Sequence, residues 1–66
     1  MDADGQMSVM CYHAGRNFFQ AENYASSVRS FTEAKLRDPT SVEIPFYLRI
    51  AAQKHLDAFM VAHMPF

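Results

Sequence analysis

The chain has 66 residues, half of them hydrophobic and 14% aromatic, and a net charge of -1. That describes one small domain at most, too apolar for a disordered tail and without the basic stripe that a nucleic-acid partner requires. Cys11 is the single cysteine, so no internal disulfide can form and a reducing compartment is expected.

Residues 1–7 read as a flexible polar leader. Met1-Asp2-Ala3-Asp4-Gly5-Gln6 resembles neither a secretion signal nor an Arg-rich transit peptide. Ser8 is placed as the N-cap of a first helix, its hydroxyl able to accept from an N–H of the first turn. Val9, Cys11, Tyr12, Ala14, Phe18 and Phe19 then recur at helical spacing. Glu22-Asn23 interrupts the pattern, and Asn23 is the residue expected to tolerate the left-handed corner.

A second helix should start near Tyr24. Tyr24, Ser27, Val28, Phe31, Ala34 and Leu36 form its inner face, with Ser26, Arg29, Glu33, Lys35 and Arg37 outside. The cations at its C-terminal end suit the helix dipole. Asp38-Pro39 stops it, because the residue before a proline avoids helical geometry. Thr40 to Glu43 has the form of a capping box. Pro45 leaves the start of the third helix open between Thr40 and about Ile44. That helix should run to about His63, with Pro65 beyond it. Its first half is amphipathic. Its end, Ala58-Phe59-Met60-Val61-Ala62, is apolar on every side, which normally means burial on every side. No apolar run nears the roughly 18 residues of a membrane span.

From Ser8 to Pro39 the residues Ala14, Gly15, Phe18, Tyr24, Ser27, Phe31, Ala34 and Pro39 resemble one tetratricopeptide (TPR) repeat of about 34 residues. The resemblance implies an antiparallel helix hairpin over 8–40. Gly15 and Ala14 would let the helices approach, Tyr24, Phe31 and Ala34 would lock them, and Phe18 and Phe19 would fill the space toward the next helix. Cys11 and Ser27 depart from the family's large aromatic and alanine. Residues 41–66 would hold a capping or interface helix and a short tail, with Arg49 at the position of a small residue. The fold expected is all-α, three helices in total. Tyr12, His13, Arg16 and Phe19 would line a partner groove on the first helix. The family's clamp for chaperone tails is not expected, because its Lys is missing and Asn17 is displaced by one.

No catalytic, metal or cofactor site is expected. His13, His55 and His63 lack a ligand neighbour at metal-binding spacing. Cys11 has no base placed to activate it, and the carboxylates lie on separate turns. The expected function is a non-catalytic protein–protein interaction module. One repeat and one extra helix fall below the roughly three repeats such arrays need. The chain should therefore complete its core by self-association or by docking, with Leu56, Phe59, Met60 and Val61 at that interface and Arg16 and Arg49 at its rim. Two alternatives stay open: a small structural subunit of a larger complex, and a small chaperone or regulator shielding an apolar segment. The cytoplasm, or the interior of an assembly, is the expected location. No membrane, nucleic-acid or small-molecule partner is expected.

Overall fold

A computed structural model describes residues 3–63. It is all-α: α1 spans Ala3–Gln20, α2 Tyr24–Arg37 and α3 Glu43–His63. No strand occurs among the described residues. α1 and α2 form an antiparallel hairpin, and α3 packs along α2 and touches α1 through side chains. Pro65 and the first two residues lie outside the described range.

Small residues set the distance between α1 and α2. A Cβ added at Gly15 would sit 2.8 Å from ring carbons of Phe31, so only glycine lets that ring close the seam. Ser27 Oγ donates to the Gly15 carbonyl at 2.7 Å, and Ser8 Oγ donates to the Ala34 carbonyl at 3.1 Å. Ser8 and Gly15 stand seven residues apart on α1, as do Ser27 and Ala34 on α2, so both bonds fall in one antiparallel register. All of these residues are buried, together with Phe31, Ile44 and Ala51. Burying a hydroxyl is tolerable here because each one is hydrogen-bonded.

The start of the chain differs from the leader expected over 1–7. Residues 3–7 are helical, and Ser8 lies a turn and a half inside α1 rather than at its cap. Two tertiary contacts explain the extension. One is the Ser8–Ala34 bond. The other is Arg37, which reaches Asp4 at 3.3 Å and Glu33 at 3.0 Å. Asp4 also lies in the first turn, where the helix dipole favours an anion.

The corner is a Schellman turn. Asn23 N–H donates to the Phe18 carbonyl at 2.8 Å and Glu22 N–H to that of Phe19 at 3.0 Å. Glu22, not Asn23, takes the left-handed conformation, with φ 62°. Asn23 instead caps α2, its side chain accepting from Ser26 N–H at 3.4 Å. α2 ends at Arg37, directly before Asp38-Pro39, as the sequence predicts.

The capping box over Thr40 to Glu43 does not form. Thr40 Oγ1 donates to Asp38 Oδ1 at 2.7 Å, and the cap of α3 is Ser41, whose Oγ accepts from Ile44 N–H at 3.4 Å. Pro45 falls in the first turn, where a helix has no acceptor for the missing N–H. Leu36, expected on the inner face of α2, is 72% exposed. It stands two residues from the buried Ala34, about 200° round the helix, on the side of α2 turned to solvent.

Candidate functional site

α1 and α3 meet through side chains above α2. The Tyr12 and Tyr47 rings lie edge to face, 5.6 Å between centroids, and Tyr47 stacks on Phe31 at 5.9 Å. The Arg16 guanidinium stands 5.8 Å from the Tyr12 ring centre and 5.7 Å from that of Tyr47, within cation–π range. Tyr12 Oη donates to Glu43 Oε2 at 3.4 Å. Burial holds the Tyr12 phenol above its ordinary value of 10; the hydrogen bond with Tyr47 and the charge of Glu43 add to this, and Arg16 opposes it.

This bridge divides the surface between α1 and α3 into two clefts. One, about 270 Å³, is lined by Ser8, Val9, Tyr12, His13, Asp38, Ser41, Glu43 and Ile44 and carries two carboxylates. The other, about 260 Å³, is lined by Arg16, Phe19, Gln20, Phe31, Tyr47 and Ile50 and is apolar with one cation. The four residues expected to share a groove are thus split, Tyr12 and His13 in the first cleft, Arg16 and Phe19 in the second. Glu43, Tyr47 and Ile50 were missed from that set. A signal for Tyr47 was available: it lies one turn before Ala51, on the side of α3 that the apolar pattern turns toward α2.

The expected repeat core is only partly inside. Gly15, Ser27, Phe31 and Ala34 are buried, and Ala14 and Tyr24 are half-buried. Phe18 and Pro39 are exposed. Phe18 does not fill space toward α3. It points to the opposite flank, into a shallow depression with Cys11, Ser26, Arg29, Ser30 and Glu33. Phe19 packs edge-on against Tyr24 at 5.3 Å. Cys11 is half-buried and has no histidine among the residues lining its depression. Among the described residues, no three His, Cys, Asp or Glu side chains are grouped to hold a metal ion, and no helix is long and apolar enough to cross a membrane.

α3 is divided along its length. Ile44 and Ala51 are buried against α2, with Tyr47, Leu48 and Ile50 half-covered; every residue from Ala52 to His63 is exposed. Leu56 is 50% exposed, Phe59 53%, Met60 47% and Val61 71%. A helix apolar on all sides therefore stands open on all sides. Phe59 and His63 stack at 4.1 Å between centroids, and His63 Nδ1 lies 2.8 Å from the Phe59 carbonyl. A carbonyl only accepts, so Nδ1 carries the proton in that contact.

No family model, curated protein or solved structure matches this chain. The likeness to a tetratricopeptide unit rests on the residue pattern alone.

Proposed function

We propose that this chain is a non-catalytic protein–protein interaction module that buries the outer half of α3 against another polypeptide. The exposure of Leu56, Phe59, Met60 and Val61 carries the reading. Two global dimensions support it. The accessible surface is 4966 Å², against about 4250 Å² for a compact monomer of this mass. The radius of gyration is 13.0 Å, against about 11 Å for a compact domain of this length. On this reading the hairpin is a repeat-like unit, α3 is the helix on which the next element stacks, and Tyr12, His13, Arg16 and Phe19 face the partner along the clefts. The setting would be the cytoplasm or the interior of an assembly.

Hydroxyl-radical labelling of methionines tests it. Met10, 65% exposed on α1, is the internal control for Met60. In extract of the expressing cells, Met60 should label well below Met10; in the dilute purified chain the two should label alike. Equal labelling in both settings would overturn the proposal.

A further inference from the structure

The apolar cleft beside Arg16 is assembled from all three helices. Arg16, Phe19 and Gln20 come from α1, Phe31 from α2, and Tyr47 and Ile50 from α3. The geometry points to a binding site for a small aromatic monocarboxylate: one flat ring system seated in the cleft, its carboxylate held at the rim by the Arg16 guanidinium. This ligand class goes beyond the interaction reading and does not depend on what covers the outer half of α3.

Size sets the first limit. The cleft encloses about 260 Å³, just under the roughly 300–1,000 Å³ of sites for drug-sized ligands. It has room for one ring system and not for a nucleotide. Lining sets the second limit. The walls are Phe19, Phe31, Tyr47 and Ile50, and none of the lining residues carries a carboxylate. Phe31 and Tyr47 stack with 19° between their planes, and Phe31 is enclosed on every side, so they present a fixed aromatic wall. A ring gains offset-stacked or edge-to-face contact there, which a saturated chain of equal area lacks.

Charge sets the third limit. Arg16 makes no hydrogen bond or ion pair among the described residues. Its contacts are the faces of Tyr12 and Tyr47, which hold the guanidinium without occupying its planar fork of N–H donors. Arg37 is the contrast, its guanidinium already committed to Asp4 and Glu33. A planar fork matches a carboxylate with paired, parallel hydrogen bonds. A lone cation also balances the single charge of a carboxylate better than the nearly double charge of a phosphate monoester. The neighbouring cleft disfavours the same ligand, because Asp38 and Glu43 line it.

The test is amide proton–nitrogen correlation NMR of the full chain titrated with naphthylacetate. Naphthylacetamide and octanoate serve as controls, and far-UV circular dichroism is recorded for the variant. The amide signals of Phe19, Gln20, Tyr47 and Ile50 should shift together, with a dissociation constant of about 1 mM or below for a ligand of this size. Naphthylacetamide should bind about tenfold more weakly, as should naphthylacetate to Arg16→Gln, because each change removes a charged hydrogen-bond partner. Octanoate should bind about fivefold more weakly for want of ring contacts. Arg16 is exposed, so Arg16→Gln should keep the helical signal; if it does not, the naphthylacetamide comparison decides the role of charge. An absence of cleft shifts at ten times that concentration overturns the site, and so do shifts confined to Phe59 and Met60. Equal affinity for the amide, or unchanged affinity in a folded Arg16→Gln chain, overturns the carboxylate assignment. Octanoate binding as tightly as naphthylacetate overturns the aromatic one. The Met60 labelling in extract tests the interaction reading separately.

Discussion

The α1–α2 seam and the outer half of α3 are built from opposite materials. The seam contains glycine, two serines and an alanine around one phenylalanine, and it is closed. The end of α3 contains leucine, phenylalanine, methionine and valine, and it is open. Hydrophobicity alone would have ranked them the other way. What closes the seam is approach distance: without a side chain at Gly15 the Phe31 ring fills the gap, and buried hydroxyls reach carbonyls across it. The end of α3 has ample apolar area and no neighbour at the right distance. Packing density, more than apolar content, decides what is inside.

Several substitutions would sharpen or break that contrast. The largest effect belongs to Phe31→Ala, which should cost about 3–5 kcal/mol and, in a chain this small, abolish the helical circular dichroism signal. Phe59→Ala, measured where light scattering gives the single-chain mass, should change stability by less than about 0.5 kcal/mol. Comparable losses would mean that the end of α3 is covered by its own chain. Next comes Gly15→Val, expected to lower the unfolding free energy by about 1–3 kcal/mol in urea titration, because a fully enclosed Phe31 ring cannot move aside. Unchanged stability would show that the seam does not depend on close approach.

Ser27→Ala should cost about 1 kcal/mol by removing the bond to the Gly15 carbonyl. The opposite sign is expected for Glu22→Gly. Glu22 holds a left-handed backbone that glycine adopts without strain, so the unfolding free energy should rise by up to about 1 kcal/mol, read as a higher midpoint of thermal unfolding. The smallest effect is confined to alkaline solution. The Tyr12 phenol is raised in the fold, so the folded chain keeps its proton where the unfolded chain begins to lose it. The associated stability is complete below pH 10 and is lost as pH climbs through the raised value. Urea titrations between neutral pH and pH 11 should therefore show a steeper alkaline decline for the wild type than for Tyr12→Phe. Parallel declines would remove Tyr12 from the account.

Much of this architecture is legible in the residue pattern, and the misses share a cause. The helical repeats, the corner after Gln20 and the stop before Pro39 follow from local rules of spacing and turn chemistry, and the close approach at Gly15 is what the tetratricopeptide resemblance implied. Ser8 and Glu43 were misread for the same reason. Each has a familiar local use at a helix start, and each is taken up by a distant group, the Ala34 carbonyl for Ser8 and the Tyr12 hydroxyl for Glu43. Glu22 takes the left-handed corner expected of Asn23 because the two Schellman bonds fix which residue turns left-handed. Phe18 and Phe19 are neighbours of equal apolarity, so periodicity could not tell which would find a ring to pack on.

By itself the amino-acid sequence determined three helices and their order, because these depend on steric rules acting over a few neighbouring residues; the close approach at Gly15 was what the tetratricopeptide resemblance implied, and it is made by Phe31 on another helix. Only the tertiary structure decided that α3 stays docked for half its length and open for the rest. That outcome depends on where α2 ends relative to α3, a relation between segments that spacing along one chain does not encode.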